Sequence, residues 1–343
     1  MKIGILSRWN ATCGVSMHAE LLAWEFIKMG HEIKVFAPYV ETANRWWHHR
    51  IIKEDEPFVI RCYAELRPKD FKGGSLDFDN ILKGDFDFFV VESYTSIPYR
   101  EVEELVRKLK CEKVAVIHEG SRSHLRYSNL RVFDSLVVFD ERYINEMLYD
   151  YRDITRVIPY PCHPVEKGNR KFAEDILTFF SFGRQPLGEY VDYIKALDWL
   201  AERYDFVYRI IRSDGFLPFQ KPWIEQSNGR ISNRELYARL HSADIHLLPK
   251  GKTKFVVVSS TLFQCLGSLV PTVVPNTRHF ETLDEQMLPV VVYKDVEDLK
   301  TKLIELIEND ELRARIINAA EKYVEQNEVG RVARKFLELF ESI

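Results

Sequence analysis

The sequence predicts an α/β protein made of two doubly wound domains, each a parallel sheet with helices on both faces. The chain has 343 residues, which is the length of two ordinary domains. Its hydrophobic content of 46% and aromatic content of 13% supply two cores and argue against disorder. Short apolar strands alternate with amphipathic helices in both halves, which is the pattern of doubly wound sheets.

The first half opens with a βαβ pattern. Apolar residues 2–6 predict a strand, and residues 17–29 repeat apolar side chains at helical spacing until Gly30. Further strands are expected at residues 31–37, 86–91, 113–117 and 135–139, with helices at residues 99–109 and 141–149. Residues 39–82 interrupt the alternation, and residues 68–82 within this segment are expected to form a long loop.

The second half repeats the alternation after a proline-rich segment, RVIPYPCHP, which ends at Pro164. We therefore expect one domain at residues 1–164 and a second at residues 165–325. Its strands are expected at residues 177–182, 206–212, 245–248, 270–274 and 290–293. Its helices are expected at residues 190–203, 233–241, 262–266, 296–307 and 312–324, with a loop at residues 214–228.

Composition narrows the function classes. The net charge of −4 offers no basis for nucleic-acid binding. The five cysteines are scattered without a C-x-x-C motif, as in a cytoplasmic protein with reduced thiols. No apolar run reaches the ~18 residues of a membrane span, and the N-terminus predicts a strand rather than a signal peptide. The one acidic cluster, DFDN at residues 77–80, is expected to be a solvated turn, so no metal site is predicted.

Residues 243–275 contain the clearest ligand pattern. A basic loop with Lys250, Lys252 and Lys254 follows one predicted strand. Ser260 and Thr261 then precede a short predicted helix, whose free backbone N–H groups form an anion site. This pattern predicts binding of a phosphate or diphosphate. An ordinary capped helix beside a solvated basic loop would produce the same pattern.

Taken in order, these segments resemble the GT-B glycosyltransferases of family 4, also called glycosyl transferases group 1. FFSFGRQ is similar to that family's "VGR" strand end, and ELYARLHSADIHLLP to its "eL…ADv…lPS" helix and strand. TLFQCLGSLVPTVV is similar to "KLFEYLAaGvPVV", and RVIPYPCHP to the inter-domain "VIPNGVD". The C-terminal VARKFLELFESI resembles the helix that crosses back to the first domain, here residues 326–343.

The resemblance implies a fold and an activity. It implies two Rossmann-like domains facing each other across a cleft, with a nucleotide sugar on the second domain and an acceptor on the first. It implies transfer of the sugar to a hydroxyl with retention of configuration and without a metal or other cofactor. A UDP- or GDP-linked donor is expected, with a sugar or lipid-linked acceptor. The lipid-linked case would bring this cytoplasmic enzyme of carbohydrate biosynthesis to a membrane surface.

Several donor-site residues are implied by the resemblance. Arg184, which follows Gly183 at a strand end, matches the arginine that holds the diphosphate, and its fork of donors suits phosphate oxygens. Gln264 stands where the family has a glutamate that binds the ribose. The family's lysine after the arginine is not matched, so Lys250, Lys252 or Lys254 is the candidate replacement.

Other candidates lie in the first half. His118 resembles the family histidine that reaches the donor sugar, and Glu119 beside it is a candidate base for the acceptor hydroxyl. Gly14 would let the first loop approach the donor closely. The adjacent Trp46 and Trp47 are candidates for stacking against a sugar or lipid acceptor.

The chain departs from the family pattern at its glutamates. Gln264 replaces one of them, and the other would fall near Thr253, so the usual carboxylate pair is missing. Two alternatives to a transferase therefore remain. One is a non-catalytic GT-B protein that binds nucleotide sugar or regulates a partner, and the other is a sugar-nucleotide epimerase. An NAD-linked dehydrogenase is disfavoured because RWNATCGVS lacks G-x-G-x-x-G.

Overall fold

Two parallel sheets organise the molecule, one in each of two units of the chain. The computed structural model describes residues 1–46, 50–173, 175–283 and 286–343. The first unit contains Met1–Pro161, Phe255–Ser260 and Val329–Ile343, and the second contains Cys162–Lys254 and Thr261–Glu328.

The first unit contains an eight-stranded sheet in the order β4-β3-β2-β1-β5-β6-β7-β8. Its strands are β1 Lys2–Leu6, β2 Glu32–Pro38, β3 Val59–Ala64, β4 Ser75–Leu76, β5 Phe88–Ser93, β6 Glu112–Ile117, β7 Ser135–Val138 and β8 Thr155–Val157. All neighbouring strands run parallel except β3 and β4. The strand order reverses between β1 and β5, which makes the carboxyl ends of these two strands the switch point of the sheet.

The second unit contains a six-stranded, fully parallel sheet in the order β11-β10-β9-β12-β13-β14. Its strands are β9 Leu177–Gly183, β10 Phe206–Arg212, β11 Ile224–Asn228, β12 Ile245–Leu247, β13 Thr272–Pro275 and β14 Val291–Tyr293. Its switch point lies between β9 and β12. The prediction of a loop at residues 214–228 was wrong for residues 224–228. These residues form β11, an edge strand with the polar sequence IEQSN that pairs with β10.

Eleven helices connect the described strands. They are α1 Gly14–Lys28, α2 Val40–Ala43, α3 Phe78–Leu82, α4 Tyr99–Lys108, α5 Glu141–Glu146, α6 Leu187–Leu200, α7 Asn233–Leu240, α8 Ser260–Cys265, α9 Val296–Glu308, α10 Asp310–Asn327 and α11 Val329–Ser342. Several begin at a polar cap that accepts a free backbone N–H, as Ser232 does for α7 and Asp295 for α9. Asp77 caps α3 in the same way, so the predicted turn at residues 77–80 is instead the start of a helix.

The core of the second unit shows why β9 carries aromatic residues on both faces of the sheet. Phe179 packs with Tyr193, Tyr208 and Leu303 on one face of the sheet. The next residue, Phe180, packs with a separate cluster on the other face, which includes Leu236 of α7. Successive side chains of a strand point to opposite faces, so a strand covered on both sides can carry apolar residues at adjacent positions.

The largest difference from the sequence expectation lies at residues 39–82. This segment contains β3 and β4 as well as the short helices α2 and α3. In β3, VIRCYA, only Cys62 and Tyr63 are fully buried, and Arg61 interrupts the apolar run. That composition hides a strand from a search for apolar runs.

Candidate active site

The switch point of the second sheet brings Gly183, at the end of β9, close to the loop that follows β12. In open α/β sheets, ligands bind outside the carboxyl ends of the strands at this position. Gly183 has a φ of +132°, a conformation that L side chains rarely adopt. The glycine thus lets the chain turn sharply out of β9, and Arg184 is the first residue after the turn.

Two cations lie near each other at this edge. Arg184 and Lys250 are both half-buried. The pKa of Lys250 is lowered, chiefly because burial disfavours its charge and also because the positive charge of Arg184 is nearby. Glu189 acts in the opposite direction and favours the charged lysine. Lys250 is one of the three lysines considered as replacements for the family lysine, and Arg184 lowers its pKa.

Glu189 of α6 lies against the same loop. Burial raises the pKa of its carboxyl group, while Lys250 and the backbone N–H of Gly251 lower it. A side chain at Gly251 would place its Cβ 2.7 Å from Glu189 Oε1. The glycine therefore allows the carboxylate to approach the loop, where it favours the charged form of Lys250.

The other donor-site candidates of the second unit are held by neighbouring residues. Gln264 donates from Nε2 to Asn233 Oδ1 at 2.6 Å, and its backbone oxygen accepts from Tyr237. The backbone oxygen of Lys254 accepts from Arg278 at 2.8 Å, while the lysine itself is exposed. Thr261 is half-buried in the first turn of α8.

In the first unit, the structure brings together two residues that were predicted separately. A side chain at Gly14 would place its Cβ 2.9 Å from Ser260 Oγ and 3.1 Å from Ser260 Cβ. The backbone oxygen of Gly14 accepts a hydrogen bond of 2.7 Å from the Tyr160 hydroxyl. Gly14 is also the first residue of α1, which begins three residues before the predicted helix at residues 17–29.

His118 follows β6 and is hydrogen-bonded to a carboxylate that sequence reasoning missed. His118 Nε2 lies 2.6 Å from Glu92 Oε2, and His18 Nδ1 lies 2.8 Å from Glu92 Oε1. Among the described residues, these three form a group whose potential metal-ligating atoms all lie within 4.8 Å of one another. Glu92 is an acidic residue at the end of the apolar strand FFVVES, which was the available clue. His18 lies within a helix, and nothing in its sequence context pointed to Glu92.

Glu119 does not fit the role of a base for an acceptor. The residue is 1% exposed, and its Oε1 accepts from Ser93 at 2.6 Å and from Tyr99 at 2.5 Å. Burial raises the pKa of its carboxyl group. A side chain held inside the unit by two hydroxyl groups serves packing, so this expectation is corrected.

Of the two tryptophans predicted to stack against an acceptor, the structure describes Trp46. Trp46 is half-buried, and its ring centre lies 5.8 Å from that of Phe71. Its indole nitrogen is buried without a hydrogen-bond partner in the described part of the chain. Trp46 therefore packs against its own unit. Trp47 lies outside the described residues.

Comparison with known proteins shows which fold the chain has. Residues 191–338 match the model of the glycosyl transferase-like family. HepE of Anabaena, solved in complex with UDP and glucose, aligns over 100% of both chains with 13% identity and a TM-score of 0.71. Because the alignment spans the whole chain, both sheets belong to the same known fold, GT-B. The chain therefore has the fold of the GT-B glycosyltransferases, and the glycosyl transferase-like match lies in its second half.

Other GT-B glycosyltransferases show the same likeness. Sucrose-phosphate synthase from Thermosynechococcus elongatus aligns over 100% of this chain and 98% of its own, with 11% identity and a TM-score of 0.70. A trehalose-6-phosphate synthase studied for glycosyl transfer with retention aligns over 100% of this chain and 99% of its own, with 11% identity and a TM-score of 0.68. At these identities the likeness establishes only the fold of this chain. Among its described residues, no helix is long and apolar enough to cross a membrane.

Proposed function

We propose that this protein is a glycosyltransferase that moves a sugar from a nucleoside-diphosphate donor to a hydroxyl acceptor, without a metal and with retention of configuration. The observation that carries the proposal is the pair of cations, Arg184 and Lys250, at the switch point of the second sheet. The leaving diphosphate gains negative charge as the glycosidic bond breaks, and fixed cations stabilise that charge. Two side-chain cations supply the charge that a divalent metal supplies in other phosphate sites.

The comparisons support the donor class. HepE was solved with UDP and glucose, so a UDP-linked hexose is the first donor to test. GDP-linked sugars are the second, because no contact that selects the base is identified. Retention is supported by the likeness to the trehalose-6-phosphate synthase studied for retaining transfer. The proposed acceptor is a sugar or a lipid-linked sugar, and the latter would be reached at a membrane surface from the cytoplasmic side.

Nucleotide binding is the first experiment. Calorimetry and thermal shift would compare UDP, GDP, ADP, dTDP, CMP and NAD on the full chain. A ligand at about 100 times its Kd stabilises the folded state by about 2.7 kcal/mol. We expect one nucleoside diphosphate to bind, and Arg184→Ala and Lys250→Ala each to weaken it by about tenfold or more. Lys252→Ala is the matched control, because Lys252 is exposed on the same loop.

Turnover then separates the proposal from its alternatives. Activity that survives a chelator supports metal independence, and the anomeric configuration of the product, read by NMR, tests retention. Nucleotide binding without transfer or hydrolysis would favour a binding or regulatory protein. Conversion of the free sugar nucleotide into its epimer would favour an epimerase. If no nucleotide binds to the wild-type protein, the proposed donor site is wrong.

A further inference from the structure

Three side chains of the first unit form a continuous hydrogen-bonded chain. Glu92 lies in the middle, with His18 at 2.8 Å on one carboxylate oxygen and His118 at 2.6 Å on the other. The side chains of His18, Glu92 and His118 are 0%, 1% and 9% exposed. The two histidine rings also meet edge to face, with centres 5.3 Å apart. A buried arrangement of this kind restricts where each proton can be.

Glu92 is ionised in this arrangement. Burial alone would raise the pKa of its carboxyl group, but the two histidines outweigh burial and hold the pKa at about 2. An ionised carboxylate accepts hydrogen bonds and donates none. Nδ1 of His18 and Nε2 of His118 both face Glu92, so each of these nitrogens must carry a proton.

His18 is restricted further by its second nitrogen. His18 Nε2 is buried and has no hydrogen-bond partner among the described residues. The rings of Phe139 and Tyr160 lie 5.4 and 5.2 Å from the His18 ring. A proton on Nε2 would be a buried donor without an acceptor, which is costly. The geometry therefore places the His18 proton on Nδ1, where it is donated to Glu92 from inside the unit.

His118 differs at its second nitrogen. Nδ1 of His118 forms no hydrogen bond with the described residues. Unlike Nε2 of His18, this atom is not completely buried. Because Nε2 carries the proton, a neutral His118 has its lone pair on Nδ1. Burial lowers the pKa of His118 despite the opposing effect of Glu92, which favours the neutral ring. The exposed atom is therefore a hydrogen-bond acceptor.

We propose that Glu92 and His18 are positioning residues that fix His118 as its Nε2–H tautomer, so that Nδ1 accepts a hydrogen bond from a substrate hydroxyl. The hydroxyl part of this statement rests on the proposed function, whereas the tautomer does not. Such a site selects a substrate that carries an O–H at that point. It rejects a deoxy, fluoro or O-methyl analogue, because these lack the donor.

Histidine NMR on the full chain tests the tautomer directly. In the wild type, we expect ¹⁵N shifts of a protonated Nε2 and a bare Nδ1 for His118. Glu92→Gln replaces two acceptor oxygens by one acceptor and one donor group. Only one histidine N–H can then be accepted, and His18 cannot move its proton to the unpartnered Nε2. We therefore expect His118 to change to the Nδ1–H form in this variant.

Two variants control for general damage. Glu92→Asp retains two acceptor oxygens and is expected to retain the wild-type tautomer. Glu103→Gln changes another buried carboxylate of the same unit, one bonded to Ser128 and Arg107, and is expected to leave His118 unchanged. A wild-type His118 with its proton on Nδ1, or an unchanged tautomer in Glu92→Gln, overturns the proposal. Stoichiometric metal in the purified protein, whose removal shifts both histidine signals, also overturns it.

Substrate discrimination tests the hydroxyl. With UDP-glucose and its mono-deoxy analogues, the wild type should disfavour one analogue by about tenfold or more in kcat/KM. Glu92→Gln should lose that discrimination while still binding UDP, and Glu103→Gln should retain it. Discrimination that is equal in all variants contradicts the role of Glu92. If UDP-glucose does not bind at all, the proposed function fails, but the NMR result still decides the tautomer.

Discussion

Arg8 and Glu65 form a two-pronged ion pair inside the first unit. Arg8 Nε donates to Glu65 Oε1 at 2.6 Å, and Nη2 donates to Oε2 at 2.7 Å. Their side chains are 2% and 0% exposed. Arg8 follows β1 and Glu65 follows β3, so the pair connects the ends of two strands that lie on either side of β2. The carboxylate raises the pKa of Arg8 despite burial, which keeps the guanidinium charged.

Breaking this pair on one side should destabilise the protein strongly. Arg8→Ala leaves Glu65 as a buried charge, and we expect a loss of about 3–5 kcal/mol in the free energy of unfolding. Urea denaturation measures it. The double variant Arg8→Met/Glu65→Leu removes both charges and should cost less than Arg8→Ala alone. A cost below about 1 kcal/mol for Arg8→Ala would show that water reaches the site.

His246 makes stability depend on pH in the acid range. It is fully buried in β12, its Nε2 has no partner among the described residues, and burial lowers its pKa to about 3. The unfolded chain takes up this proton near pH 6.5, whereas the folded chain does not until about pH 3. The contribution is therefore complete above pH 6.5 and is lost as the pH falls between these values.

The variant His246→Phe isolates this effect. Relative to it, the wild type should lose up to about 1.4 kcal/mol per pH unit between pH 6.5 and 3. Denaturation at a series of pH values gives the difference in unfolding free energy between the two proteins. Parallel pH curves for the two proteins would mean that His246 takes up its proton at the same pH in the folded and unfolded chains.

Gly14 and Ser260 are expected to be coupled. Gly14→Ala places a methyl group 2.9 Å from Ser260 Oγ, and overpacking of this kind costs about 1–3 kcal/mol. Ser260→Gly removes the opposing side chain. The double variant should therefore recover most of the loss in a double-mutant cycle of thermal unfolding. Additive effects would show that the strain of Gly14→Ala lies elsewhere.

Phe336 of α11 is expected to be a main stabilising residue of the first unit. It is fully buried, and its ring centre lies 6.1 Å from His18 and 6.5 Å from Phe26, both in α1. Phe336→Ala should lower the free energy of unfolding by about 3–5 kcal/mol. Lys335→Ala, an exposed neighbour on the same helix, is the control and should change it by less than about 0.5 kcal/mol. Equal effects would contradict the packing role of α11.

Sequence alone predicted the two doubly wound sheets because their central strands are apolar on both faces. In β9, Phe179 and Phe180 are buried in different clusters, and such a run is visible without a structure. The missed strands β3 and β11 lie toward the sheet edges, where polar residues such as Arg61 and Gln226 occupy strand positions. Edge strands are covered less completely, so their composition resembles a loop.

The site was predictable only where one segment carries the pattern. Gly183-Arg184 matched a motif, whereas the choice of Lys250 among three nearby lysines needed the fold, because its neighbours Arg184 and Glu189 come from other segments. The link from Glu92 to His18 spans 74 residues of sequence, and no spacing rule predicts it. Glu119 was predicted as a base for an acceptor hydroxyl from its position after a strand, and its burial could not be read from that position.

The first unit is assembled from three separated pieces of chain, and the last of them contains α11. A ribosome releases residues in order, so every strand of the eight-stranded sheet emerges long before Phe336 does. Until then, the surface of α1 around Phe26 lacks its covering helix. The second unit has all its strands before α11 appears and is therefore expected to finish folding first. The first unit, whose strands are translated first, is thus expected to complete its folding last.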